Sequence, residues 1–143
     1  MSSVAEINKL GLSFHHFGLA VRQVDRALNF LTGLGYQIGR PVRDDSQNVN
    51  LIFCTSATMP AVEIIWPTET AGPVSEILKF SDELIYHSCF ESSNLQKTLA
   101  AIREEHHNIF CISPPQPAPL FDGRKVSFYY IRGFGLVEIL ETA

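Results

Sequence analysis

Two histidines and two glutamates recur in this 143-residue chain at matched distances. His16 precedes Glu63 and His87 precedes Glu138, with 71 residues between the histidines and 75 between the glutamates. Each glutamate sits inside an apolar run, AVEIIW around Glu63 and GLVEILE around Glu138. An ionised carboxylate in such company costs several kcal/mol unless it is paired or ligates a cation. Two neutral imidazoles and two carboxylates leave a divalent ion formally uncharged, and N/O donors of this kind suit Zn, Co, Mn, Ni or Fe(II). The expected cofactor is one divalent metal ion held by His16, Glu63, His87 and Glu138, with any further positions open to water or substrate. The repeat does not include His15, which reads as strand-adjacent, or His106 and His107, which read as an exposed helix end.

The elements that must position these residues also come in two copies. FHHFGLAV alternates as a strand, with Phe17, Leu19 and Val21 on one face and His16, Gly18 and Ala20 on the other. VDRALNFLTG places Val24, Ala27, Leu28 and Leu31 at helical spacing and stops at Gly33. YQIGRPV, VNLIFCTS and AVEIIWP then read as three strands, completing a β-α-β-β-β unit. TETAGPVSEILKF, with Pro73 at the first turn of a short helix, joins the halves. LIYHSCFE, the helix with Leu95, Leu99 and Ile102 on one side, NIFCISPP, KVSFYYI and GLVEILE repeat the order. The expected fold class is α+β: two βαβββ modules, about 13–67 and 84–141 with a linker at 68–83, forming one curved, mostly antiparallel sheet around a metal-binding cleft in a single domain of 1–143.

Composition narrows the function classes. With 45% hydrophobic and 18% charged residues the chain has an ordinary globular balance. Its net charge of −4 with scattered Lys and Arg argues against a nucleic-acid partner. No apolar run approaches a signal peptide or a membrane span, so a cytoplasmic location and no membrane partner are expected. Cys54, Cys89 and Cys111 lack CxxC spacing and read as buried small apolar residues. Glu91 and Glu141 read as surface residues.

HHFGLAVRQVDRALNFLTGLGYQIG, VEIIWP, GPVSEILKF, LIYHSCFE, DGRKVSFYYI and GLVEILE, in that order, resemble the motifs of the vicinal oxygen chelate superfamily, which includes glyoxalase I, the extradiol dioxygenases and bleomycin-resistance proteins. Within it the chain is most similar to the methylmalonyl-CoA epimerase family, over roughly residues 13–141. The resemblance places the metal ligands on His16, Glu63, His87 and Glu138. It implies proton abstraction next to a carbonyl through a metal-stabilised enolate, a small-molecule substrate such as an acyl-CoA thioester, and a homodimer. The family's proton-transferring Glu before the third strand has no match, since RDDSQNVNLIF places Ser46 nearest that position. Asp45 is the candidate replacement and Glu138 the first candidate catalytic carboxylate. Arg40, Arg43, Arg124 and Lys125 read mainly as solvated charges that could meet a phosphate. A glyoxalase I-like lyase and a non-catalytic, resistance-type binding protein are the alternative functions.

Overall fold

The computed structural model describes residues 8–142. Its strands are β1 (Leu12–Val21), β2 (Gln37–Ile38), β3 (Val42–Asp44), β4 (Val49–Thr55), β5 (Ala61–Pro67), β6 (Glu83–Ser92), β7 (Ile109–Pro117), β8 (Lys125–Ile131) and β9 (Gly135–Glu141). The helices are α1 (Val24–Gly33), α2 (Pro73–Ile77) and α3 (Leu95–Glu104), with a 3-10 turn at Pro119–Phe121. The order is the expected doubled β-α-β-β-β, except that β2 and β3 stand in the first module where one strand was expected.

All nine strands belong to one sheet, in the order β2-β4-β5-β1-β6-β9-β8-β7, with β3 also pairing β4. Within each module the first and last strands run parallel, β1 with β5 and β6 with β9, and the other pairs are antiparallel. The modules join where β1 and β6 pair antiparallel at the centre of the sheet. Period-2 alternation along these strands fills both faces. In the first module Ala20, Val49, Leu51 and Ile65 pack with Val74 and Leu78 of the α2 region. On the opposite face Val21, Ile52 and Ile64 pack against Leu31 of α1. The second module repeats the arrangement, with Cys89, Val126, Phe128 and Leu140 in one cluster and Tyr129, Val137 and Ile139 against Leu95 and Leu99 of α3 in the other. Apolar burial of this kind contributes about 25 cal/mol per Å² and is what holds the helices to the sheet.

Two details differ from the sequence reading. YQIGRPV forms two short strands, because the Gly39 N–H turns to the Phe53 carbonyl at 2.9 Å and Pro41 has no N–H to continue a ladder. A Cβ on Gly39 would meet that carbonyl oxygen at 2.6 Å, so the close approach depends on glycine. Cys111 is exposed rather than buried: it lies on β7, an edge strand that runs on through Pro114, Pro115 and Pro117 because only one of its sides is hydrogen-bonded.

Candidate metal centre

His16 lies on β1 and His87 on β6, while the strands parallel to them supply the carboxylates. Glu63 on β5 is opposite Gly18, two residues beyond His16, and Glu138 on β9 is opposite Cys89, two residues beyond His87. Across the module junction His16 faces Cys89 and His87 faces Gly18. The two modules therefore present their His–Glu pairs at the same offset, and the antiparallel junction brings both pairs to one point.

His16 Nε2 is 3.2 Å from Glu138 Oε1 and 3.7 Å from Glu63 Oε1; His87 Nε2 is 3.1 Å and 3.8 Å from the same atoms. His16, Glu63, His87 and Glu138 are all buried, at 0, 4, 3 and 3% exposure respectively. Among the described residues His16 Nε2, His87 Nε2 and Glu138 Oε1 have no hydrogen-bond partner. Buried polar atoms left in that state cost stability unless something occupies the point they share. A divalent ion bonded to N and O at about 2.0–2.2 Å spaces neighbouring donors by roughly 3 to 3.5 Å. The donor set fits such an ion in charge and chemistry; the Glu138 distances match this spacing and the Glu63 distances of 3.7 and 3.8 Å lie just beyond it.

The clustered groups also shift the protonation of His16 and Glu138. Burial acts to lower the His16 pKa, but the adjacent carboxylates of Glu138 and Glu63 outweigh it and raise it to about 9. Burial acts to raise Glu138, yet the adjacent His87 and His16 imidazoles hold it well below the usual carboxylate range. Burial, with the Glu63 and Glu138 charges, pushes the Tyr86 phenol up.

Aromatic rings wall the site. Phe121, on the 3-10 turn, stacks on His16 at 5.6 Å, and Phe53 meets the same ring edge-on at 5.5 Å. Tyr86 and Phe128 meet His87 edge-on at 4.5 and 5.4 Å. Gly18 is needed for His87: a Cβ there would lie 2.2 Å from the imidazole Cε1. Beside the cluster Tyr86 and Phe128 also wall a pocket of about 190 Å³, lined further by Ser46 and Gln47 of the β3–β4 hairpin, by Val49 and Val74, and by Ile112.

The structure does not bring Asp45 to this cluster. Its side chain is largely exposed on the hairpin and accepts a 2.6 Å hydrogen bond from Arg43 Nε. Asp44 is buried and holds the turn, accepting from Ser46 N and Oγ and from Gln47 Nε2. Arg43 also pairs with Glu69, and Arg124 with Glu91 and the Glu141 carbonyl, so Glu91 is half-buried in an ion pair. His106 and His107 are exposed.

His15 was not legible as part of the site. The β1–β6 register slips between Phe14 and His16, so His15 is a bulge residue and both imidazoles reach the same side, with Nδ1 to Nδ1 at 2.8 Å. Alternation along a regular strand would have sent them to opposite faces, and no residue type in FHHF announces the bulge.

Residues 15–128 match the family model described as the Glyoxalase/Bleomycin resistance protein/Dioxygenase superfamily. Among solved structures the chain is similar to methylmalonyl-CoA epimerase from Mycobacterium tuberculosis, at 18% identity over 93% of this chain and 88% of that one, with a TM-score of 0.74. It is similar to a hypothetical protein of Bacillus halodurans, at 20% identity over 92% and 95% with a TM-score of 0.78. It is also similar to a Streptomyces coelicolor methylmalonyl-CoA epimerase variant in complex with 2-nitronate-propionyl-CoA, at 18% identity over 91% and 96% with a TM-score of 0.68. None of the curated protein sequences compared with this chain matches it significantly. The chain belongs to the Glyoxalase/Bleomycin resistance protein/Dioxygenase superfamily, and it shares the fold of these structures.

Proposed function

We propose, with that membership as the premise, that the protein is a metal-dependent isomerase that removes and returns a proton next to a carbonyl, in the manner of a methylmalonyl-CoA epimerase. The observation that carries this reading is the convergence of four buried donors from two modules, with His16 Nε2, His87 Nε2 and Glu138 Oε1 all lacking a hydrogen-bond partner among the described residues. His16, Glu63, His87 and Glu138 would hold one divalent ion. Such an ion, when bound, supplies Lewis-acid stabilisation of the negative charge that develops on a carbonyl oxygen as the adjacent proton leaves.

Glu138 is the first candidate for proton transfer, since one carboxylate oxygen can face the cluster while the other accepts and returns the proton. Tyr86 and Phe128 exclude water from the His87 side and, with Val49, Val74 and Ile112, offer apolar walls to a small acyl group. Asp45 is the second candidate acid–base group; to act it must leave Arg43 and swing with its hairpin, whose Ser46 and Gln47 already face the pocket. Arg40 and Lys125, which form no ion pair among the described residues, are the candidates to meet the phosphates of a thioester handle. A homodimer and a cytoplasmic location complete the reading.

A second reading is a binding protein that sequesters a small molecule in the same pocket, favoured by Asp45 lying outside the cluster; a glyoxalase I-like lyase would use the same four donors. Elemental analysis of the purified protein beside His87→Ala is the first test, with about one divalent ion per chain expected in the parent and little in the variant. Deuterium incorporation at C2 of methylmalonyl-CoA in deuterated water then separates epimerisation from the other readings. A parent that stays metal-free after incubation with Zn, Co and Mn would overturn the metal-dependent reading. A loaded protein that exchanges no C2 proton would overturn the epimerase.

A further inference from the structure

We infer that His15 is a positioning residue for the metal centre, accepting the Nδ1–H of His16 and so holding His16 in the tautomer and ring orientation that aims Nε2 at Glu63, His87 and Glu138. The inference rests on the metal-centre reading above. Its basis is the 2.8 Å contact between the two Nδ1 atoms, made possible by the bulge at His15. Between two ring nitrogens at that distance one must donate and the other accept. A neutral His16 that offers its Nε2 lone pair to an ion carries its proton on Nδ1. His16 is therefore the donor and His15 the acceptor, with the His15 proton on Nε2.

A metal-bound imidazole nearly always donates its second N–H to an acceptor, commonly a carboxylate or a backbone carbonyl, and that acceptor fixes the tautomer. Here a second imidazole stands in that place. Two aromatic neighbours pack against it, Phe53 at 5.6 Å and Phe121 edge-on at 5.3 Å. The second module lacks the arrangement. Its register slips between Gly18 and Leu19, which makes Tyr86 the bulge residue before His87, and Tyr86 touches that ring only edge to face. His87 Nδ1 has no partner.

The test combines zinc affinity, by competition with a chromophoric chelator, and ¹⁵N NMR of the histidine rings. His15→Leu removes the acceptor, whereas His15→Asn keeps one, since the Asn Oδ1 stands near the place of Nδ1. Loss of such an outer contact weakens binding by about 10–100-fold, so that is the fall expected for the Leu variant, with the Asn variant recovering most of it. A Leu variant that binds zinc as the parent does, or an Asn variant as weak as the Leu variant, would overturn the inference. Should the Leu variant fail to fold, or the parent bind no zinc, a scalar coupling across Nδ1–H···Nδ1 in the metal-free parent decides. Its presence supports the His15–His16 bond and its absence overturns it. A zinc-free parent with the coupling present would count against the metal-centre reading alone.

Discussion

The two modules deliver the same pair of donors and support them by unlike means. In the first, His16 is tied through Nδ1 to His15 and faced by the Cys89 strand position. In the second, His87 has no hydrogen bond at Nδ1 and lies over Gly18, whose missing side chain makes the space for its ring, with Tyr86 and Phe128 at its edges. One imidazole is oriented by a hydrogen bond and the other by shape. The repeat thus reproduces backbone register, and with it the His–Glu offset, while the residues behind each imidazole differ.

The contrast breaks most readily at the shape-held imidazole. Gly18→Ala should displace His87, because no rotamer removes a Cβ 2.2 Å from the ring. We expect a destabilisation of about 1–3 kcal/mol from overpacking together with near-complete loss of metal, measured by denaturant unfolding and elemental analysis. Its counterpart Cys89→Ala, at the equivalent position of the other module, should retain the ion and lose on the order of 1 kcal/mol for a small buried side chain. Equal metal loss in the two variants would mean that the asymmetry does not matter.

Removal of an aromatic edge sharpens the same point. Phe128→Ala takes away a wall of His87 that no hydrogen bond replaces and should cost about 3–5 kcal/mol along with metal affinity. Phe121→Ala, beside the hydrogen-bonded His16, should retain more of that affinity despite its stacking contact. Chelator competition and thermal melts on the pair give the comparison, and a larger affinity loss at Phe121 would contradict it.

The pH response is a smaller effect and belongs to the hydrogen-bonded half. Metal-free, His16 rises from 6.5 to about 9 because the carboxylates of Glu138 and Glu63 outweigh the effect of burial. Its contribution to stability is fully present below its unfolded pKa and is lost as pH rises through the folded one. The melting temperature of chelator-treated protein should therefore fall from pH about 6.5 to about 9, and His16→Gln should flatten that slope. For the same reason metal uptake below about pH 9 should release a proton. An unchanged slope in the variant would remove His16 as its source. The least effect is expected at Asp45→Asn, where loss of an exposed pair with Arg43 is worth about 0–1 kcal/mol and metal content should stay at the parent level. A fall in metal content there would place the hairpin carboxylate nearer the site than its exposure implies.

Much of this was legible in the chain because two signals agreed. Alternation in FHHFGLAV and GLVEILE assigns faces, and the doubled order of elements says that His16 and His87, or Glu63 and Glu138, occupy equivalent places. The break at Gly39 and the exposure of Cys111 were not legible, since each depends on which strand lies alongside: Phe53 offers its carbonyl to Gly39, and among the described residues no strand pairs with the outer side of β7. Asp45 was a reasonable candidate by position, but its place is decided by Arg43, while buried Asp44 holds the turn.

The α+β class, the two βαβββ modules and the four residues with ligand chemistry follow from the chain alone, because periodicity and repetition are properties of one strand and its copy. Only the tertiary structure decided that the modules meet through β1 and β6, so that His16 faces Cys89 and His87 faces Gly18. It also decided that a bulge turns His15 toward His16. Those outcomes depend on registers between segments distant in sequence, where a slip of one residue reverses every side chain and no local pattern records it.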